Sequence, residues 1–159
     1  MILLIDTRDK LDKIKHITDY YDRNNISYDR TKLYIGDYQR ADNPLLLIDR
    51  KKDILELATN ILEDNMAKDD GKKRFRNELR RLDQIKGKMY ILVEEKLNCL
   101  EDVQKWSSEC KKDGSPYVKL KGPALYKYLV SYQYKHNIEY IFCDKSQTGR
   151  VIAELLGVG

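Results

Sequence analysis

Residues 36–51, GDYQRADNPLLLIDRK, carry the pattern from which the fold and the chemistry of this chain are predicted. An acidic residue, Asp37, is followed by a turn and then by an apolar strand over 45–50. Because side chains two positions apart in a strand point to the same face, Asp49 and Lys51 share one face of that strand. A carboxylate and an ammonium group side by side at the end of a buried strand can hold a divalent cation and position a water molecule. Phosphodiester cleavage requires both.

The segment just before this strand, 33–38, is predicted to be extended and to pair with it. Gly36 lets the chain turn sharply before the carboxylate. Pairing would bring Asp37 and Asp49 together at the end of a sheet, where two carboxylates bind Mg²⁺ or Mn²⁺ through oxygen and waters complete the octahedron. Lys51 would orient or deprotonate the attacking water and stabilise the transition state. The alternative is that these residues have no catalytic role, since Gly-Asp is common in turns and Asp-Arg-Lys is common at the ends of strands.

Three further residues each allow more than one interpretation. Asp6, at the end of the first predicted strand, could join the metal shell or hold Arg8 or Lys51, or it could cap the helix that follows. Glu56 could be a supporting acid of the site or a solvated helix residue. Arg74 could reach a substrate phosphate or remain an ordinary surface side chain.

Hydrophobic periodicity predicts an α/β fold. Apolar residues at three- and four-residue steps indicate helices, and short alternating or continuous apolar runs indicate strands. The predicted strands are 2–6, 26–31, 33–38, 45–50, 89–93 and 138–143, and the predicted helices are 9–24, 53–63, 72–86, 123–136 and 146–156. Strands alternating with helices predict a single domain over 1–159, built on a mixed sheet with helices on both faces.

Composition excludes several classes of protein. The chain has 159 residues, of which 35% are charged, and no apolar stretch approaches the length that spans a membrane. Its start reads as a strand and not as a signal peptide. The three cysteines lack the spacing of zinc ligands and are typical of reduced thiols. We therefore expect a cytoplasmic protein without a membrane partner.

The distribution of charge favours a nucleic-acid partner. The net charge is +4, and six basic residues fall within 72–81 and four within 111–121, on the C-terminal side of the acidic stretch. The alternative for such groups is a solvated helix face. Four tyrosines in the predicted helix over 123–136 could stack on bases, although half-buried core or an interface is their more common use.

The order of these motifs resembles the ERCC4-type nuclease domain of the XPF/MUS81 structure-specific endonucleases, within the PD-(D/E)xK restriction-endonuclease-like superfamily. The matching segments are Ile5-Asp6-Thr7-Arg8, Gly36-Asp37-Tyr38, Ile48-Asp49-Arg50-Lys51, Glu56-Leu57, residues 74–79, Val93-Glu94, Lys121-Gly122 and residues 142–145. They span nearly the whole chain. The tail is similar to that of small single-domain forms found in phage and prophage genomes.

This resemblance implies a restriction-endonuclease-like fold and metal-dependent cleavage of DNA in a bacterial host cell. Asp37 and Asp49 would be metal ligands, together with the carbonyl oxygen of Arg50, and Lys51 would be the catalytic lysine. Asp6 would line the same pocket. The candidate DNA contacts are basic residues near the motifs: Arg8, Arg50, Lys73, Arg74 and Arg76.

The chain departs from the XPF-type pattern at three points. It has Asp49 where that motif has Glu, a change compatible with metal binding. The acidic residue expected four positions after the motif lysine is here Leu55, with Glu56 one step later. The helix-hairpin-helix domains that grip branched DNA have no counterpart in the sequence. Preference for branched or single-strand-containing DNA, and formation of a homodimer, therefore stay open.

Three rival functions also stay open, and one of them, Holliday-junction resolution, is an activity of the same superfamily and needs a dimer with paired sites. A catalytically silent DNA-binding module would explain the basic surface, although intact Asp37, Asp49 and Lys51 argue against it. A protein-interaction subunit acting through a tyrosine-rich surface predicts no metal binding and no salt-dependent affinity for DNA. The prediction is a divalent-metal-dependent DNA endonuclease that acts in phage or bacterial recombination, replication or repair.

Overall fold

The computed structural model describes residues 1–159, in which a six-stranded mixed sheet is flanked by helices on both faces. The strands are β1 (Leu3–Asp6), β2 (Tyr28–Thr31), β3 (Tyr38–Arg40), β4 (Asn43–Lys51), β5 (Lys88–Val93) and β6 (Ile138–Phe142). The helices are α1 (Lys15–Arg23), α2 (Ile54–Met66), α3 (Arg74–Ile85), α4 (Gly122–Lys135) and α5 (Thr148–Leu156). The predicted α/β class with a mixed sheet is confirmed. No helix combines the length and the apolar character needed to cross a bilayer.

Strand order brings the chemically important strand ends to one edge of the sheet. The order is β2-β1-β3-β4-β5-β6, with β3 antiparallel to both of its neighbours and the other pairs parallel. β1, β4 and β5 therefore run in the same direction, and their C-terminal ends meet the start of β3. Residues at those ends, including Asp6, Asp37, Asp49 and Glu94, are thus carried to the same place.

β4 separates two hydrophobic cores. Leu47 packs with α2, α3 and α4 on one face of the sheet, and Ile48 packs with α1 and α5 on the other. Because side chains alternate along a strand, this packing sends Asp49 and Lys51 to the α2–α3 face and Arg50 to the α1–α5 face. Burial of the apolar residues of β4 thereby sets the direction of the polar residues that end it.

The predicted strand over 33–38 is wrong in its position. Residues 32–37 form an irregular loop, and the strand β3 begins only at Tyr38. The physical reason is Gly36, whose φ of +71° breaks the extended backbone. Pairing with the apolar strand is nevertheless present, because Tyr38 lies opposite Ile48 in β4.

The first predicted helix also begins later than expected. The predicted range 9–24 contains a short 3-10 helix, Leu11–Lys13, and then α1 from Lys15. Neither helix has a side-chain N-cap, so no local signal starts a continuous helix there. In the opposite direction, α2 runs to Met66, three residues past its predicted end at 63.

Gly36 should be sensitive to substitution because it needs both a left-handed φ and open space. A Cβ atom at this position would lie 2.9 Å from the carbonyl oxygen of Ile48. We expect Gly36→Ala to lower the free energy of unfolding by about 2–3 kcal/mol. Gly114 is the matched control, since its φ is +85° but nothing lies within 4 Å of an added Cβ. Gly114→Ala should cost only about 1 kcal/mol. Equal losses in urea denaturation would contradict the close-approach argument.

Candidate functional site

A polar cavity of about 300 Å³ opens at the edge where β1 and β4 end and β3 begins. Every predicted catalytic residue lines it, and none of its lining residues is hydrophobic. The lining residues are Asp6, Arg8, Asp9, Gly36, Asp37, Asp49, Arg50, Lys51, Glu56 and Glu78. We call this cavity the acidic pocket. Carboxylates drawn from two strands, two helices and two connecting segments are thus gathered in one place.

Asp37 reaches the acidic pocket from the loop before β3. Its Oδ2 accepts a hydrogen bond of 2.8 Å from the backbone N–H of Arg50, which fixes the carboxylate against the end of β4. Burial and the neighbouring Asp49 carboxylate raise the pKa of Asp37 well above its usual range, and this hydrogen bond only partly opposes them. Two adjoining carboxylates in this setting repel each other unless a proton or a cation lies between them.

Asp49 and Lys51 form a buried ion pair on the α2–α3 face. Lys51 Nζ lies 3.0 Å from Asp49 Oδ2. The ammonium group is thus the partner of this buried oxygen, and no other donor reaches it. A buried carboxylate that already pairs with one cationic group is a candidate ligand for a metal cation.

Lys51 is held in its charged form. Burial lowers the pKa of Lys51, but the carboxylates of Asp49, Glu78 and Asp37 outweigh burial and raise it above its ordinary value. Its ammonium group also lies 5.4 Å from the ring centroid of Phe75, which adds a cation–π contact. A charged lysine at this position can orient water and stabilise negative charge.

The donor set of the acidic pocket fits a hard divalent cation. Asp37 and Asp49 offer oxygen ligands, and the carbonyl of Arg50 directly follows Asp49 in the chain. No group of three or more His, Cys, Asp and Glu side chains is arranged to hold an ion. The protein would therefore supply two carboxylates and leave the other positions to backbone oxygen and water. That is the usual manner of binding Mg²⁺, which keeps several of its waters.

Asp6 and Arg8 form the rim of the acidic pocket. Asp6 is buried, and its two oxygens accept from Arg8 Nε at 2.6 Å and from Leu33 N at 3.2 Å. Of the roles considered for Asp6, the structure therefore shows the one of holding Arg8, and the helix-capping alternative is wrong. Arg8 also donates to the carbonyl of Leu33 at 2.8 Å, while 55% of its side chain stays exposed.

The guanidinium of Arg50 is buried in a network of ion pairs. The sequence names Arg50 as a DNA contact, but its side chain lies on the α1–α5 face and is 9% exposed. It donates to Asp9 at 2.8 and 3.1 Å and to Glu94 at 2.5 Å. Glu94 in turn accepts from Thr148 Oγ1 at 2.6 Å and lies 2.7 Å from His16 Nε2. Arg50 is therefore a positioning residue that anchors the end of β4.

The three basic candidates on and before α3 lie outside the acidic pocket. Lys73 pairs with Asp70 at 3.0 Å, and Arg76 donates to Asn65 at 2.8 Å. Arg74 is exposed and lines a separate cavity between α2 and α3. The structure thus places this basic group beside the pocket and not within it.

Glu56 lies in the acidic pocket but is also used by α2. Its Oε2 accepts from Lys52 N at 3.2 Å, and its own N–H donates to Asp53 Oδ1 at 2.8 Å. This reciprocal arrangement is close to a capping box at the start of the helix. The structure therefore gives Glu56 a local role in the helix as well as a place in the pocket.

Glu78 is a member of the acidic pocket that the sequence did not single out. It reaches the pocket from α3, where burial and Asp49 raise its pKa to about 7 against the opposing effect of Lys51. In the sequence Glu78 is one charged residue among many on an amphipathic helix. It falls within the segment 74–79 that resembles the ERCC4-type domain, but no spacing in that segment indicates a carboxylate site.

Comparisons with protein families and with solved structures show which proteins the chain resembles. The family model for the ERCC4 domain matches residues 5–155. XPF from Aeropyrum pernix has a TM-score of 0.66 with this chain at 16% identity, over 98% of this chain and 63% of that one. XPF from Aeropyrum pernix in complex with DNA has a TM-score of 0.64 at 17% identity, over the same shares. At this identity the likeness shows the fold, and the chain spans 63% of the length of those proteins. No curated protein matches the sequence.

Removing one of the two adjoining carboxylates should stabilise the metal-free protein. An amide at position 37 keeps the acceptor for the N–H of Arg50 and removes a buried negative charge. We expect Asp37→Asn to raise the free energy of unfolding at neutral pH in EDTA by about 0.5–2 kcal/mol.

The same change has a predicted pH dependence. Because folding raises the pKa of Asp37, the wild type loses stability as the pH rises from the ordinary carboxyl pKa to the raised one. The variant does not titrate there, so its advantage should vanish near about pH 4. Asp19→Asn, at an exposed acid paired with Lys15, is the control and should change little. Thermal and urea unfolding measure both, and a loss of stability in Asp37→Asn would contradict this reading.

The buried network around Glu94 should be costly to break. Glu94→Ala leaves the guanidinium of Arg50 with one carboxylate fewer and removes the acceptor of Thr148. We expect a loss of about 3–5 kcal/mol in the free energy of unfolding. Glu154→Ala, which removes the exposed partner of Arg150, should cost no more than about 0.5 kcal/mol. Similar losses in the two variants would show that the Glu94 network does not stabilise the fold.

Proposed function

The chain belongs to the ERCC4 domain family, and we propose that it is a divalent-metal-dependent endodeoxyribonuclease whose reaction takes place in the acidic pocket. One observation carries this proposal. Two adjoining buried carboxylates, Asp37 and Asp49, lie beside the single ammonium group of Lys51, which pairs with Asp49. A site with that excess of buried negative charge is suited to binding a divalent cation and to hydrolysis of phosphodiesters.

Asp37, Asp49 and the carbonyl of Arg50 would hold Mg²⁺ or Mn²⁺. When bound, such an ion lowers the pKa of a coordinated water and offsets the charge of the phosphate. The backbone N–H of Arg50 keeps the Asp37 carboxylate aimed into the pocket. Asp9 and Glu94 keep the end of β4 in place by holding the guanidinium of Arg50 from the opposite face.

Lys51 and Arg8 would act on the phosphate itself. The ammonium of Lys51 is next to Asp49, where it can orient the attacking water and stabilise negative charge that develops on the phosphate. Arg8 presents a half-exposed guanidinium at the rim, a group suited to bidentate contact with phosphate oxygens. In-line attack by water oxygen on phosphorus would break the bond to the leaving sugar oxygen and create one phosphate and one hydroxyl end.

DNA is the proposed substrate. The structure of XPF from Aeropyrum pernix was determined in complex with DNA, and that protein shares the fold of this chain. The net charge of +4 agrees with a polyanionic partner. We place the activity in recombination, replication or repair of bacterial or phage DNA. Lys73, Arg74 and Arg76 would contact backbone phosphates away from the cleaved bond.

Cleavage of labelled DNA tests the proposal. The substrates are single strand, duplex, flap, fork and four-way junction, each with Mg²⁺, Mn²⁺ or EDTA. Wild type should cut only with metal. Asp49→Asn and Lys51→Ala should each lower the rate by about 100-fold or more while DNA binding in EDTA persists. Asp19→Asn is the control for loss of a carboxylate outside the pocket and should retain activity.

Two outcomes would overturn the assignment. Cutting in EDTA, or equal cutting by wild type and Asp49→Asn, would remove the acidic pocket from the reaction. Absence of cutting by wild type on every substrate, with DNA still bound, would favour a catalytically silent DNA-binding module.

A further inference from the structure

An apolar groove of about 440 Å³ lies on the same face of the sheet as the acidic pocket. Its floor comes from β1 and β4, its wall from the loop before β3, and its far end from Ile85 of α3. We define the apolar groove by Leu4, Leu33, Tyr34, Ile35, Leu45 and Leu47. Leu45 is 50% exposed although it belongs to a central strand, so this part of the sheet is open.

The apolar groove and the acidic pocket share a wall. The loop that contributes residues 33–35 to the groove continues directly into Gly36 and Asp37 of the pocket. Leu33 is tied to the pocket through its N–H to Asp6 and its carbonyl to Arg8. Along β4, the groove residue Leu47 precedes Asp49 by two positions on the same face, a distance of about 7 Å. A nucleotide bound at the metal ligands therefore has its neighbour at the groove.

Tyr34 is presented at the edge of the groove as an open aromatic ring. It is 63% exposed, and the guanidinium of Arg81 lies 5.5 Å from its ring centroid. Arg81 holds the ring by a cation–π contact, and its Nε is buried without a hydrogen-bond partner. An exposed aromatic ring next to exposed aliphatic surface is a usual mark of a binding site.

The charge around the apolar groove is positive. Lys32 lines it, and Arg81 and Arg8 border it on the side of the pocket. No Asp or Glu is among its lining residues. The apolar floor and the open aromatic ring match the face of a base, and the cationic border matches the phosphate attached to it. Single-stranded nucleic acid is bound by this combination of stacking and positive charge.

Building on the proposed function, we propose that the apolar groove binds an unpaired nucleobase, stacked on Tyr34, next to the phosphate that enters the acidic pocket. A base inside a duplex is already stacked and paired, so it cannot enter without being extruded. The groove therefore accepts a base only where pairing is absent or has been broken.

Equilibrium binding in EDTA tests the inference without cleavage. Fluorescence anisotropy would compare a labelled single-stranded oligonucleotide with the matching duplex. Tyr34→Ala should weaken binding of the single strand about tenfold and change duplex binding less than about twofold. Tyr34→Phe keeps the ring and should retain wild-type affinity. Tyr134→Ala is the control: it removes a tyrosine of α4 that is 92% exposed and should not change the affinity for either DNA.

A second readout reports stacking directly. An oligonucleotide carrying 2-aminopurine should lose fluorescence when the analogue stacks on Tyr34, and Tyr34→Ala should abolish that quenching. Leu45→Glu, at an exposed position on the groove floor, adds a negative charge and should also weaken binding of the single strand. Circular dichroism of each variant establishes that the fold is retained.

The outcomes separate this inference from the proposed nuclease activity. Tyr34-dependent single-strand binding without cleavage on any substrate would remove the nuclease and leave base binding standing. Cleavage with the same preference among DNA structures in wild type and Tyr34→Ala would overturn base binding and leave the nuclease. Failure of wild type to bind single strands would also overturn it. So would a change of sedimentation in Tyr34→Ala with DNA binding unaltered, which would identify the groove as a protein interface.

Discussion

The anchoring of Arg50 is the interaction on which the acidic pocket depends. Its guanidinium is held by Asp9, from the turn after β1, and by Glu94, from the end of β5. Three segments distant in sequence are thereby tied together at one edge of the sheet. Because a buried cation is costly unless it is paired, the three charges constrain one another. The backbone N–H of Arg50 also donates to Asp37, so Arg50 positions acidic side chains on both faces of the sheet.

The acidic pocket brings buried carboxylates close together, which is unfavourable because they repel one another. Asp37, Asp49 and Glu78 converge, and the ammonium of Lys51 offsets only part of their repulsion. Such an arrangement persists because the two hydrophobic cores on either side of β4 determine where these side chains go. Carboxyl groups whose pKa is raised in this way cluster at functional sites. The neighbouring apolar groove is lined by no acidic side chain. An apolar surface suits the base of a nucleotide, whereas the polar pocket suits its phosphate.

Local pattern predicted some elements well and others poorly. The apolar run 45–50 is found as the core of β4, and the alternation of Asp49, Arg50 and Lys51 between faces follows from it. The strand predicted over 33–38 failed because a single left-handed residue, Gly36, interrupts an otherwise extended pattern. Glu78 lies within the matched segment 74–79, but its place in the acidic pocket does not follow from local pattern, because its proximity to Asp49 depends on how α3 packs against β4. Local hydrophobic periodicity carries no information about that packing.

The sequence by itself determined the α/β class, the order of the motifs and the face on which each residue of β4 lies. These follow from local periodicity and from burial of the apolar residues. Only the tertiary structure decided that the guanidinium of Arg50 is internal, that Asp6 is engaged by Arg8, and that an open apolar groove adjoins the pocket. Each of these depends on contacts between segments far apart in the chain. Strand order and helix packing set those contacts, and periodicity carries no information about them.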